Sequence, residues 1–209
     1  MQESNVVHEN ENENEPLLIV ISGPSGVGKD TVLNRLKKRS QKFHFVITAT
    51  TRKKRPNEVH GVDYFFVTEE EFLELIAKDE LLEHALVYKD YKGVPKEQVR
   101  LAMASGKDVL MRVDVQGAAT IKSLAPDAIL IFLKTASEEE LVHRLEKRKT
   151  DSPEQMKVRI ETAKKEYQRI KEFDYQVINR DDGLDETVDT ILTIIHAEHH
   201  RTEPKKVRL

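Results

Sequence analysis

Residues Gly23–Thr31 read GPSGVGKDT, a string with the parts of a phosphate cradle. Gly23, Gly26 and Gly28 let a backbone curl until successive N–H groups point inward at an anion. Pro24, Ser25 and Val27 fill the loop, and Lys29 follows at the spacing of a lysine that reaches β- and γ-phosphates. A helix opening there adds the partial positive charge of its N-terminus. The pattern G-x-x-x-x-G-K-[ST] next asks for a hydroxyl to serve Mg2+, but position 30 is Asp. Three roles are open to Asp30. It starts the helix while water and phosphate oxygens hold the metal, it ligates Mg2+ or its waters, or it repels phosphate and marks a dead site. Mg2+ keeps several waters at phosphate sites, so losing one hydroxyl is tolerable. A dead loop would not need Lys29. Both points favour the first role. Thr31 offers a hydroxyl one place on, from a different angle.

A second constellation runs from Thr48 to Tyr64, TATTRKKRPNEVHGVDY. Arg52 and Arg55 stand three apart, and two guanidinium forks can hold one phosphate by bidentate bonds. Tyr64 adds a hydroxyl. Alone, an R-x-x-R string is better read as a solvated basic loop. Beside a triphosphate cradle it becomes a second phosphate site, the layout of phosphoryl transfer between two nucleotides.

These groups need a scaffold. Leu17–Ser22 is a continuous apolar run before the glycine loop, as for a strand covered on both faces, and Thr31–Arg39 follows with helical spacing. Phe43–Thr48, Val62–Val67, Lys107–Val113, Ala128–Leu133 and Tyr175–Asn179 read as further strands. Helices are predicted over Glu69–Lys78, opened by a Thr68/Glu71 capping box, and from Ser137 with Glu140 to about Arg148. Two more run from about Pro153 to Lys171 and over Leu184–Glu198. The alternation predicts an α/β fold, a parallel sheet with helices on both faces and ligands at the carboxyl ends of its strands. Residues 51–98 break that rhythm and read as an inserted substrate lobe between core segments 16–50 and 99–198. Residues 148–157, RKTDSPEQMK, are polar and turn-prone and read as a lid.

The chain of 209 residues suits one domain with small insertions. Its net charge of −3 argues against a protein held to nucleic acid by bulk charge. With no cysteine there is no disulfide and no thiol catalysis. The eight histidines show no metal-ligand spacing. No apolar run reaches the roughly 18–20 residues of a membrane span. The acidic leader 1–15 reads as disordered, unlike a basic transit peptide, and 199–209 reads as a solvated polar tail.

With GPSGVGK, TTRKKRPNEVHGVDY, VDVQG and RKTDS in this order and spacing, the chain resembles the guanylate kinases over about residues 17–198. The resemblance implies a P-loop NTPase-type fold and the reaction ATP + GMP ⇌ ADP + GDP with Mg2+. It implies GMP phosphate on Arg52, Arg55 and Tyr64, with Glu58 the acid of the same string and Thr48 a hydroxyl near the base. Glu83 matches the carboxylate that reads guanine, whose N1–H and N2–H2 donors lie side by side. Asp114 matches an acid that touches either the guanine edge or magnesium's waters. Any protein contact to the metal runs from Asp30 or Asp114 through water. Arg144, Arg148 and Arg159 match lid-region arginines that join Lys29 and Arg55 in neutralising the transferring group, and Asn179 matches an adenine contact.

The chain departs from the family pattern at three further places. Lys92 stands where a second tyrosine binds phosphate, Val94 where a hydroxyl helps read guanine O6, and Arg112 where an acid precedes Asp114 by two. With Asp30, these resemble the plant organellar branch. The resemblance implies a cytoplasmic enzyme or a mature organellar chain, monomeric or homodimeric, without nucleic acid or membrane. Two rivals are a guanylate-kinase-like binding module, which typically has a degraded phosphate loop, and a kinase of another small acceptor.

Overall fold

The computed structural model describes residues 15–87, 89–147 and 153–207. The leader before Glu15, Arg148 and the lid residues 149–152 lie outside the described residues. In chain order, β1 (Leu18–Ser22) leads through the glycine loop into α1 (Lys29–Arg39). Then come β2 (Phe43–Phe45), β3 (Ala49–Thr50), β4 (Phe65–Phe66), α2 (Glu69–Ala77), β5 (Leu81–Val87) and β6 (Asp90–Pro95). The chain continues through α3 (Lys96–Ala104), β7 (Asp108–Arg112), α4 (Val115–Leu124), β8 (Ile129–Lys134) and α5 (Glu138–Lys147). It ends with α6 (Pro153–Gln168), a 3-10 turn (Ile170–Glu172), β9 (Tyr175–Ile178) and α7 (Leu184–His199).

The central sheet has the order β2-β7-β1-β8-β9, and every pairing is parallel. Alternate β1 residues serve two cores. Ile19 and Ile21 face the layer holding Val32, Leu36 and Ile191, while Leu18 and Val20 face the layer holding Val99, Ala118 and Ile121. Both faces are therefore covered, which explains why LLIVIS is apolar without a break. Burying one such side chain contributes roughly 1.5–3 kcal/mol. In this sheet the carboxyl ends of β1 and β7 open on the cleft, through Gly23 after β1 and Arg112 at the end of β7.

The predicted strand Phe43–Thr48 divides. β2 joins the central sheet, and the chain then crosses to a second sheet, β4-β3-β6-β5, which packs over Phe72. Val62–Val67 shortens to the two-residue β4 because Val59–Tyr64 is a turn, closed by Gly61 N donating to Tyr64 O at 2.9 Å. Sequence reading missed the β5–β6 hairpin, α3 and α4. The capping box at Thr68 forms, with Glu71 N to Thr68 Oγ1 at 3.1 Å and Thr68 N to Glu71 Oε2 at 2.7 Å.

The tail is not wholly solvated. Lys206 pairs with Glu15 at 2.8 Å, Lys205 with the buried Glu198 at 3.7 Å, and Val207 packs against the core under α4. No helix among the described residues is long and apolar enough to cross a membrane.

Candidate active site

The end of β1 opens into a cleft of about 250 Å3. Gly28 caps α1 with φ 91°, a left-handed conformation in which a Cβ would meet Asn179 Nδ2 at 2.5 Å. Only glycine serves there. The loop is held from behind. Asn179 Nδ2 donates to Val27 O at 2.7 Å and Asn179 Oδ1 accepts from Thr187 Oγ1 at 3.2 Å. Arg144 donates to Val27 O at 3.3 Å and to Asn179 O at 2.6 Å, and pairs with Glu140 at 2.5 Å and Asp181 at 2.8 Å. Val27, Asn179 and Arg144 thus brace the cradle from outside the cleft lining, with the Asn179 side-chain amide engaged on the loop.

This brace makes a prediction. Asn179→Ala removes two hydrogen bonds, at a cost of about 1–3 kcal/mol, or roughly 2–10 °C of Tm for a chain of this size. ATP KM should rise several-fold while GMP KM moves less than twofold. A thermal melt and ATP titration matching the wild type would refute the role.

Lys29 Nζ donates to Gly23 O and, at 3.0 Å, to Pro24 O. Burial pushes its pKa down to about 8, against the opposing charge of Glu166. Its ammonium sits within the loop, on the loop's own carbonyl oxygens. Arg159, from α6, reaches the same loop at Ser25 Oγ, 3.0 Å away.

Asp30 lies on the first turn of α1 and faces the second constellation. It meets Arg112 at 2.5 Å, Tyr64 Oη at 3.4 Å and Arg55 at 3.8 Å. Glu58 sits outside the cleft lining and pairs with Arg52 through both oxygens at 2.9 and 2.8 Å, while Arg55 N donates to it at 2.8 Å. Burial opposes its charge, but Arg52 and the Arg55 amide outweigh that and hold its carboxyl below the usual range. Glu58 thus spaces the two arginines, which both line the cleft with Tyr64 and Thr48.

The hairpin supplies the rest. Tyr91 stacks on Phe72 at 5.3 Å within the second sheet's core, which turns its neighbour Lys92 into the cleft. Burial lowers the Lys92 pKa. Val94 is fully buried beside Glu83, its register partner. Glu83 is only 6% exposed, yet its carboxylate lines the cleft. Asp114 caps α4, its Oδ1 accepting from Gln116 N at 2.9 Å and Gly117 N at 3.0 Å. A Cβ at Gly117 would lie 2.6 Å from Glu83 Oε2, so this glycine gives the carboxylate its room. Burial first, then the charge of Asp114, pushes Glu83 up to about 8, and Lys92 opposes them.

Six lining residues were not singled out as site residues from sequence: Val87, Asp90, Gly93, Val113 and, with charges that matter to the site, Arg112 and Glu166. Arg112 was visible only as a reversed charge. Glu166 lies seven residues after Arg159, the spacing of one helix face, and that signal was available. Arg148 lies outside the described residues.

A glycine loop between the first strand of a parallel sheet and a helix defines a P-loop nucleotide-binding protein. The family model described as Guanylate kinase matches residues 15–198. Over 196 residues the chain is 50% identical to the rice protein named guanylate kinase 2, chloroplastic/mitochondrial (Oryza sativa subsp. japonica), covering 93% of this chain and 69% of the relative. It is 40% identical over 205 residues to a Clostridium perfringens guanylate kinase, covering 98% and 93%. The crystal structure of guanylate kinase from Anaplasma phagocytophilum matches with a TM-score of 0.74 at 30% identity, covering 90% and 89%. The chain belongs to the guanylate kinase family.

Proposed function

We propose that this protein transfers the γ-phosphoryl group of ATP to GMP or dGMP, giving ADP and GDP or dGDP. One observation carries the reading: a single cleft is lined by the phosphate loop, by Arg52, Arg55 and Tyr64, and by Glu83. Triphosphate, acceptor phosphate and guanine edge each meet groups of matching chemistry there. The intact loop speaks against a binding module, and Glu83 against another acceptor.

The residues act as follows. Arg52, Arg55, Tyr64 and Lys92 hold the acceptor phosphate, and Glu83 and Thr48 orient the base. An oxygen of the GMP phosphate attacks the γ-phosphorus in line, and the β–γ bridging oxygen leaves with ADP. Lys29, Arg55 and Arg159, with Arg148 in the lid region, neutralise charge on the moving group, while Arg144 braces the loop from behind rather than reaching it. Residues 51–98 form the acceptor lobe, and closure of a lid over 148–157 excludes water.

Among the described residues no cluster of three or more acidic or histidine side chains could hold a metal. The donors at hand fit a metal carried on the nucleotide, with Asp114 and the Thr31 hydroxyl in the cleft to take its waters. When bound, Mg2+ supplies charge neutralisation at the phosphates. The enzyme acts as a monomer or homodimer. The rice relative's name supports an organellar compartment as the alternative to the cytoplasm.

The test is a coupled ADP assay with four acceptors. GMP and dGMP should support ADP formation, and AMP and UMP should give at most a few per cent of that rate. No GMP-dependent ADP, or equal use of AMP, would overturn the reading.

A further inference from the structure

Arg112 is the last residue of β7, paired in register with Ile21 just before the phosphate loop. Its side chain is only 11% exposed, yet it lines the cleft. NH1 meets Asp30 at 2.5 Å, NH2 donates to Asp63 O at 2.9 Å, and the guanidinium lies 4.1 Å from the centre of the Tyr64 ring. Its Nε is buried without a hydrogen-bond partner among the described residues. One side chain therefore joins the first turn of α1 to the turn that carries Tyr64. Asp30, its counter-ion, is also 3.8 Å from Arg55.

We propose that Arg112 is a positioning residue for the acceptor phosphate: it fixes Tyr64 by stacking, and by holding Asp30 at 2.5 Å it weakens that carboxylate's pull on Arg55, which stands 3.8 Å from Asp30 and 3.6 Å from Glu58. The inference rests on the guanylate kinase reading. A planar guanidinium is suited to this double task, since it stacks through its face and bonds through its edge. Without Arg112, the Asp30 carboxylate still has Arg55 at 3.8 Å and the Tyr64 hydroxyl at 3.4 Å beside it. It would then compete with the incoming phosphate for Arg55 and repel it. The paired departures at Asp30 and Arg112, a new acid and a reversed charge, are thus one device: each charge makes the other tolerable beside a dianionic substrate.

The test is a double-mutant cycle read in GMP KM, ATP KM and kcat, with Arg112→Met, Asp30→Ser and both together. Arg112→Met should raise GMP KM about tenfold, the scale of one charge-assisted hydrogen bond, with ATP KM within twofold. Adding Asp30→Ser should recover most of that loss, because the competing carboxylate is gone. A structural role would lower Tm, and removing a second side chain would not restore substrate binding. Unchanged GMP KM in Arg112→Met, equal loss for both nucleotides, or no recovery in the double variant would each overturn the proposal. Should Arg112→Met not fold, Arg112→Lys decides, since it keeps the charge but loses the stacking plane. A GMP KM several-fold higher with ATP KM unchanged supports positioning, and a wild-type GMP KM refutes it. Failure of the underlying reading looks different, because the wild type itself would then show no GMP-dependent ADP.

Discussion

Lys29→Met should lower kcat by about a hundredfold or more, a loss of about 3 kcal/mol of transition-state stabilisation. The ammonium stands inside the loop, on Gly23 O and Pro24 O, at the position from which such a lysine serves β- and γ-phosphate oxygens. Its charge is most useful as the γ-group moves. Methionine keeps the stem and removes the charge. GMP KM should change less than threefold, because the acceptor phosphate meets other residues. Single-turnover kinetics separate chemistry from binding, and near wild-type turnover would remove Lys29 from the catalytic machinery.

Glu83→Gln should reduce kcat/KM for GMP by roughly tenfold to a hundredfold, the cost of about 1–3 kcal/mol for a mispaired buried polar group. The amide places a donor against guanine's own donors. The wild type should also carry a pH signature. Burial and the charge of Asp114 push Glu83 up to about 8, so it holds its proton at pH 7. Guanine requires the carboxylate form, so GMP binding must expel that proton. The sign follows: at saturating ATP, kcat/KM for GMP rises by about tenfold per pH unit below 8 and levels above it. Glu83→Gln should flatten that limb and narrow the preference for GMP over AMP. If the variant keeps the same rising limb, another group titrates and Glu83 does not read the base.

Much of the fold was legible in the sequence because its signals are local. The unbroken apolar run of β1, the glycine spacing and the Thr68/Glu71 box each depend on neighbours along the chain. The β5–β6 hairpin was not legible, since its strands carry Glu83, His84 and Lys92, polar side chains that face a cleft or solvent rather than a core. α4 was missed for a related reason. Gly117 weakens the helical signal in the first turn, and it is glycine there because Glu83 approaches so closely. At the site, residue types pointed to the groups that line the cleft but not to those that brace it. Glu58 behind the arginines and Asn179 behind the loop can be told from lining residues only by direction. Asp30 shows the limit most clearly. Three roles were weighed for it along the chain, and its main partner, Arg112, lies 82 positions away.

Gly117 bears on how this enzyme can be made more robust. Alanine in place of a helical glycine ordinarily stabilises by about 1 kcal/mol, so position 117 looks like an easy gain for thermostability. Here the new methyl group would displace only the far end of the flexible Glu83 side chain. The protein would melt no earlier, and a stability screen would pass the change. Its cost would fall on fidelity, as the shifted carboxylate loses its hold on the guanine edge. At this position stability and base selection draw on the same small volume, so a screen for one must be run alongside a screen for the other.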